Sequence, residues 1–321
     1  CGTIMTMEDL RVEGKAGKMG TVMTAVVVDG PKGKEYRLPT EHELAVARPS
    51  EEQVQAAFKD VPFGVPDEPT PAGGGSGAGR AFSVQGYGLM RWRDLFTSRQ
   101  LMTLGTFVAA TRAARKAMTE HDYPPEWIEA VGGYLAVSVD RMADRCATLC
   151  TWDQGYTKVN HVFHRYALPI TWDFCEGAPL SDATGNYGSC TQWTSKYVDH
   201  ALIAGAKAPP PKAAQRSAIL SECSNAADLI VTDPPYYDAI PYADLMDFFY
   251  VWLRRSLRGI GREIDDAYTN SLSPKWDHER NDGELIDDCS RHGGDAIVSK
   301  QVYEDGMARA FAACHDALRP E

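Results

Sequence analysis

The chain has 321 residues, of which 44% are hydrophobic and 24% charged, so it can form one large or two ordinary globular domains. Its formal net charge of −11 excludes an overall basic character, and any contact with nucleic-acid phosphates would need a local cluster of cations. There is no signal peptide and no apolar run of about 18 residues, which argues against secretion and membrane spanning and favours a cytoplasmic protein.

A β-hairpin and a helix are predicted within residues 1–62. Residues 21–29 are rich in β-branched side chains, and a Gly-Pro-Lys-Gly turn joins them to a returning strand over 34–38. Residues 40–59 have helical periodicity, with Thr40 suited to the N-cap.

Residues 63–80 are rich in proline and glycine and predict a mobile loop or linker. A phosphate-binding loop is the alternative, but no strand precedes these glycines and no Gly-Lys-Ser/Thr follows them. We therefore divide the chain at this linker. A mainly helical insertion over 81–200 and a C-terminal region over 201–321 would follow it.

Two long helices are predicted in the insertion, and we expect them to pack against each other. Thr97 and Gln100 form a capping box at the start of the first helix. Pro125 suits the first turn of the second helix. Trp92, between two arginines, fits a buried anchor better than a stacking surface for a base.

No regular element is predicted over residues 151–200, where aromatic and polar residues alternate with turn signals. His161 and His164 lie three positions apart, with Asp173 and Glu176 nearby, which makes a metal site conceivable. Ordinary surface or capping histidines are the favoured interpretation.

The cysteines form no regular ladder, which favours reduced thiols over a disulfide framework. Cys146 and Cys150 share a helix face, and we interpret them as buried small hydrophobic residues rather than a metal pair. The eight cysteines are at positions 1, 146, 150, 175, 190, 223, 289 and 314.

The C-terminal region alternates between strand and helix patterns, which favours an α/β fold with a doubly wound sheet. A buried strand is predicted over 227–232, a largely apolar helix over 241–257, a polar excursion over 265–300 and a final helix over 302–318. In such sheets ligands bind at the carboxyl ends of strands. The residues directly after 232 would lie there.

Asp233, Pro234, Pro235 and Tyr236 follow the predicted strand and are the candidate site residues. An ionised Asp233 accepts hydrogen bonds, and the prolines fix the backbone while keeping their carbonyls as acceptors. Asp233 and the Pro234 carbonyl can therefore bind one amino group, and the Tyr236 ring can stack on a planar base. Both hydrogen bonds favour positive charge on nitrogen, as develops when it attacks a methyl sulfonium.

This motif and the longer string TDPPYYDAIPYADLMDFFYVWLRR, from Thr232 to Arg255, resemble the zinc-ribbon-containing adenine-specific DNA methylases. Residues 82–96 (FSVQGYGLMRWRDLF) and 165–176 (RYALPITWDFCE) are also similar to segments of that family. The resemblance implies methylation of the N6 amine of adenine in DNA, with S-adenosylmethionine as the cofactor. RNA stays open as a substrate.

The same resemblance implies a partial Rossmann-like methyltransferase sheet, with residues 201–321 as its catalytic half. In that family the glycine-rich cofactor loop and the other ligands of the zinc ribbon lie upstream. Cys1 and Gly2 would be the last pair of that ribbon, so we expect neither an intact metal site nor a cofactor loop. We interpret the chain as a piece of a longer protein that is inactive alone.

Other interpretations stay open for the motif and its surroundings. Pro-Pro-x-Tyr, over 234–237, is also a ligand pattern for domains of the WW type, which bind exposed polyproline II segments. An inactive, methylase-like nucleic-acid-binding component is a third interpretation. We favour structural roles for a group of nearby polar residues, with pocket-lining positions as the alternative for its two tyrosines: Tyr237, Asp238, Tyr242, Asp244 and Asp247. For the arginine cluster of 254–262 we favour a solvated helix end over a DNA contact.

Overall fold

The structure is a computed structural model that describes residues 4–73, 77–220 and 225–320. In these residues it is a mixed α/β protein in which helices predominate. The helices are α1 (Met7–Lys15), α2 (Glu41–Val46), α3 (Glu51–Ala57), α4 (Ser98–Glu120), α5 (Pro125–Ala143), α6 (Tyr187–Gly205), α7 (Tyr242–Leu257), α8 (Arg262–Ala267) and α9 (Ala296–Ala317). The strands are β1 (Val26–Gly30), β2 (Gly33–Arg37), β3 (Trp152–Asp153) and β4 (Lys158–Val159). None of these helices is long and apolar enough to cross a membrane.

The predicted N-terminal hairpin is confirmed, with a first strand shorter than expected. β1 and β2 pair antiparallel, from Val26 opposite Arg37 to Gly30 opposite Gly33. The single helix predicted over 40–59 is wrong, because the chain forms α2 and α3 instead. Pro49 lies between them, where its ring and missing N–H are incompatible with a helix interior.

The two long helices of the insertion are confirmed as α4 and α5, and they pack against each other. The side chain of Thr97 accepts a hydrogen bond from the backbone of Gln100, and the Gln100 side chain accepts one from the backbone of Thr97. α7 packs on both helices. The three form the centre of the protein.

Aromatic side chains fill this centre. The ring of Phe96 stacks on Phe248 at 5.8 Å and meets Trp252 edge-on at 5.4 Å. Trp92 is completely buried and contacts Phe248 edge-on at 6.1 Å, so its predicted role as an anchor is confirmed.

The first part of the Pro/Gly-rich segment packs on α7, whereas its composition predicts a mobile loop. Val65 is buried, and Glu68 forms ion pairs with Arg254 at 3.1 Å and Arg255 at 2.9 Å. Arg254 and Arg255 are buried, so the prediction of a solvated cluster is wrong for these two arginines. The carboxylate of Glu68 neutralises their charge, and carbonyls of the same Pro/Gly-rich segment accept hydrogen bonds from Arg255 in place of water.

The buried strand predicted over 227–232 is wrong. These residues belong to no sheet, and the side chains of Leu229 and Val231 are 78% and 85% exposed. Their only ladder contact among the described residues is a parallel bridge between Ala227 and Leu318. A strand becomes buried only where neighbouring strands pair with its N–H and C=O groups, and a doubly wound sheet is not seen in the described residues.

The segment over 151–200 contains regular structure that the sequence did not predict. β3 and β4 form a small hairpin, and Asn186 caps α6 by accepting a hydrogen bond from the backbone of Ser189. α9 also begins earlier than expected, after Asp295 as its N-cap.

Cys146 and Cys150 lie in the turns and loop after α5, so the prediction that they share a helix face is wrong. Their predicted burial is confirmed. Cys146 and Cys150 are buried free thiols. Burial raises the pKa of both, and that of Cys150 reaches about 12. Such thiols stay protonated and unreactive at neutral pH. Cys1 and Cys223 lie outside the described residues.

Candidate functional site

The four candidate residues lie in an extended stretch that leads into α7. Pro234 and Pro235 are half-buried, whereas Asp233 and Tyr236 face solvent, with Tyr236 53% exposed. A turn follows, in which the N–H of Ala239 donates to the carbonyl of Tyr236 at 3.0 Å. The carboxylate and the ring are therefore held on the outer surface of a short, proline-stiffened segment.

Asp233 and Tyr236 are joined directly. The hydroxyl of Tyr236 donates to Oδ1 of Asp233 at 3.0 Å, and this hydrogen bond and the nearby negative charge raise the pKa of Tyr236. No described residue donates to Oδ2 of Asp233 or to the carbonyl of Pro234. An ionised carboxylate has room for about four hydrogen bonds, so it stays available as an acceptor.

Tyr303 on α9 anchors the turn from behind. Its hydroxyl donates to the carbonyl of Pro235 at 2.8 Å and accepts from the N–H of Tyr237 at 3.3 Å. The ring of Tyr303 meets that of Tyr237 at 4.7 Å. Tyr237 has a φ of 56°, in the left-handed region that side chains rarely adopt, so contacts such as these must hold it there. No sequence pattern pointed to Tyr303.

A second pair of tyrosines surrounds the carboxylate. The ring of Tyr242, at the start of α7, lies 6.3 Å from that of Tyr236 at 73°. Burial raises the pKa of Tyr242, and the charge of Asp233 adds to this effect. Tyr166, from the loop after β4, is close enough to act electrostatically on both hydroxyls.

Tyr236 and Tyr242 thus present exposed rings next to Asp233, with the exposed Tyr166 near them, and we call these three residues the tyrosine surface. Tyr242 thus lies where the alternative of a pocket-lining position would put it, whereas Tyr237 packs on Tyr303, as its favoured structural role predicts. Sequence reasoning missed Tyr166, although it lies within the string 165–176 that resembled a known family.

The acidic residues in the first turns of α7 form ion pairs with basic side chains. Asp244 pairs with Arg291 at 2.7 Å, and Asp247 with Lys275 at 2.7 Å. Their predicted structural roles are confirmed. Asp233, by contrast, has no cationic partner among the described residues. Its negative charge is therefore available to a ligand.

The described residues do not fit the implied methyl donor. A cofactor loop needs glycines whose backbone is open to a ligand, but the carbonyls of Phe63, Gly64 and Val65 all accept hydrogen bonds from Arg255. Gly132 and Gly133 lie inside α5. Residues 74–76 of the glycine run, and Cys1 and Gly2 of the expected ribbon remnant, lie outside the described residues.

Metal-ligating side chains do not converge in the described part of the chain. No three His, Cys, Asp or Glu residues there are grouped to hold an ion. His161 lies 3.8 Å from a carboxylate oxygen of Asp144, and the Nδ1 of His164 contacts the carbonyl of His161 at 3.2 Å. These contacts agree with ordinary structural histidines.

Comparison of the chain with protein-family models, with curated proteins and with solved structures finds no match. A functional assignment therefore depends on the chemistry of Asp233 and its neighbours. That chemistry is an exposed carboxylate with one oxygen that has no donor among the described residues, a proline carbonyl that likewise accepts from none of them, and exposed aromatic rings.

Proposed function

We propose that this chain carries the acceptor half of an S-adenosylmethionine-dependent DNA methyltransferase that modifies the N6 amine of adenine. The observation that carries the proposal is the exposed carboxylate of Asp233, whose Oδ1 accepts from Tyr236 and whose Oδ2 has no donor among the described residues, next to the tyrosine surface. A primary amine on an aromatic ring offers two N–H donors and a flat face, which matches two acceptors and a stacking surface.

Asp233 and Pro234 would act on the amine in two ways. Each would accept a hydrogen bond from one of the two N–H groups of the amine, and the two hydrogen bonds together would fix the orientation of the nitrogen lone pair. The carboxylate also stabilises positive charge on the nitrogen, and this is the charge that develops when an amine is alkylated. Pro235 keeps the two acceptors in place because its fixed φ and its bond from Tyr303 restrict the turn.

The tyrosine surface would receive the base itself. An adenine within a duplex cannot present its face to Tyr236, so it must first be flipped out at a cost of a few kcal/mol. Stacking on an aromatic side chain stabilises the flipped base by about 1–3 kcal/mol, which offsets this cost. The exposure of Tyr236 and Tyr242 leaves their rings accessible for this contact.

We further infer that the chain contributes to a doubly wound methyltransferase sheet, in which ligands bind at the carboxyl ends of strands. The parallel bridge between Ala227 and Leu318 supports this, because such sheets pair their strands in parallel. Buried free thiols such as Cys146 and Cys150 fit a reducing, cytoplasmic location.

The backbone of Tyr237 argues against a Pro-Pro-x-Tyr ligand. Such ligands are extended polyproline II segments, whereas Tyr237 has a φ of 56° and its N–H is bonded to Tyr303. Binding to a WW-type domain would require this turn to unfold locally.

The test is methyl transfer by the complete protein to adenine-containing DNA, measured as N6-methyladenine by mass spectrometry after nuclease digestion. We expect Asp233→Asn to lower the rate at least about 100-fold, because a neutral amide loses the charge that stabilises the transition state. Asp238→Asn is the matched control, since Asp238 is an exposed carboxylate five positions further on.

Full activity in Asp233→Asn would disprove the role of the carboxylate. If the unaltered protein binds DNA but transfers no methyl group, the interpretation as an inactive binding component is correct instead.

A further inference from the structure

The outer face of α6 carries an exposed row of aromatic and basic side chains. Trp193, Lys196, Tyr197 and His200 have the spacing i, i+3, i+4, i+7, which aligns them along one side of the helix. Trp193 is 58% exposed and Tyr197 68% exposed. We call these four residues the α6 stripe. Large aromatic rings in such a position cost free energy unless a partner covers them.

Two cations frame the first ring of the stripe. The guanidinium of Arg141, on α5, lies 5.0 Å from the centre of the Trp193 ring, and Nζ of Lys196 lies 5.9 Å from it. Neither cation forms an ion pair with a carboxylate in the described part of the chain. In a protein with a net charge of −11, these are two cations beside exposed rings that form no ion pair within the described residues.

We propose that the α6 stripe and Arg141 bind single-stranded nucleic acid. Unpaired bases stack on Trp193 and Tyr197, which lie one helical turn, about 5.4 Å, apart. Lys196 and Arg141 neutralise the adjacent phosphates. The inference deepens the proposed function and rests on it, because it assigns the surface that holds the strand whose base enters the site at Asp233.

The combination of rings and cations selects this partner over a duplex. In a duplex the faces of the bases are covered by their neighbours, so exposed indole and phenol rings gain little from it. A single strand offers one free face for each base and one phosphate for each nucleotide. A purely hydrophobic protein partner would gain nothing from these two cations, whose desolvation would cost free energy.

The test is fluorescence anisotropy of a labelled 12-nucleotide DNA strand titrated with the intact chain at several salt concentrations. Trp193→Ala and Tyr197→Ala should each weaken binding about tenfold, as expected for the loss of one stacked base. Lys196→Gln combined with Arg141→Gln should lower the slope of log K against log salt by about 1.4, since each phosphate contact to a single strand contributes about 0.7.

Trp127→Ala and Tyr123→Ala are the matched controls, because both rings are exposed and neither belongs to α6. They should leave the affinity unchanged. Arg141 is half-buried and the other substituted residues are exposed, so thermal unfolding temperatures equal to that of the unaltered protein will show that the variants are folded.

Three results would overturn the inference. These are no measurable binding of the strand, equal binding by the α6 variants, and a preference for duplex over single strand. Self-association that is lost in Trp193→Ala, with strand binding intact, would also overturn it, in favour of an interface between copies.

Failure of the proposed function can be told apart from failure of this inference. Asp233→Asn should leave strand binding unchanged, so the α6 stripe can be confirmed even if no methyl transfer is found.

Discussion

The hydroxyl of Tyr303 donates to the carbonyl of Pro235 at 2.8 Å across 68 positions of the chain. The same oxygen accepts from the N–H of Tyr237, so one side chain of α9 satisfies two backbone groups of the turn behind Asp233. The position of the candidate carboxylate therefore depends on the packing of α9, although no residue of α9 belongs to the motif.

Tyr303→Phe should loosen the turn while leaving the fold intact. The substitution removes a hydrogen bond worth about 1 kcal/mol and leaves the N–H of Tyr237 without its acceptor. Amide hydrogen exchange should become about fivefold faster at Tyr237 and Ala239, which share the turn. The rate of methyl transfer should fall because Asp233 is held less firmly in place, and kcat should change more than KM.

Tyr156→Phe is the control for this prediction, because Tyr156 is an exposed tyrosine on the loop between β3 and β4. Unchanged hydrogen exchange at Tyr237 in the Tyr303→Phe protein would show that the turn is held by Pro234 and Pro235 alone.

Arg255→Met should lower the free energy of unfolding by about 3–5 kcal/mol. The substitution leaves the buried carboxylate of Glu68 with one fewer partner. It also leaves three loop carbonyls without their donor, against an apolar side chain. The free energy of unfolding in urea measures this loss. Arg258→Met is the matched control one turn later, where the side chain is largely exposed and lies 3.7 Å from Asp265. It should cost less than about 1 kcal/mol.

Helices with their own local signals could be predicted from the sequence. Thr97 and Gln100 encode a cap within four residues, and Pro125 suits a first helical turn, so α4 and α5 follow from neighbouring residues alone. The buried character of α7 was also predictable, because apolar side chains surround it nearly completely. Asp233 and Tyr236 could be selected since their chemistry is carried by the motif.

Contacts between distant segments could not be predicted. Arg255 looked like part of a solvated helix end because the sequence does not show that Glu68 lies beside it. Tyr166 and Tyr303 reach the site from other parts of the chain, and nothing in the residues around either one indicates that they meet there. The strand expected over 227–232 failed for the same reason, because an apolar run becomes a strand only where neighbours pair with it.

Gly105→Ala and Gly133→Ala should change stability in opposite directions. Both glycines lie inside long helices, where alanine is intrinsically favoured by about 1 kcal/mol. A Cβ at Gly105 would lie 2.6 Å from the ring of Phe58, whereas nothing lies within 4 Å of a Cβ at Gly133. We expect Gly133→Ala to stabilise by about 0.5–1 kcal/mol and Gly105→Ala to destabilise by about 1–3 kcal/mol.

Thermal unfolding of the two alanine variants decides this prediction. Stabilisation by Gly105→Ala would show that Phe58 can move aside, and that α3 and α4 pack less closely than the structure indicates.

Asp140 on α5 is 7% exposed, and its Oδ1 finds no hydrogen-bond donor among the described residues. Burial therefore raises the pKa of this carboxyl well above its usual value. A group whose folded-state pKa is raised binds more protons in the folded than in the unfolded protein. Its contribution to stability is greatest below the unfolded pKa of about 4 and is lost as the pH rises towards the folded value.

Asp140→Leu keeps a similar shape and removes this titration. The variant should gain stability over the unaltered protein as the pH rises above about 4, and the gain should level off once the folded-state carboxyl is ionised. Urea unfolding at pH 4, 5, 6, 7 and 8 measures the difference, in which the contributions of other carboxyls cancel. Glu129→Gln, an exposed carboxylate on the same helix, should show no such trend. A difference that does not vary with pH would mean that Asp140 stays ionised in the fold, held by water or a bound cation.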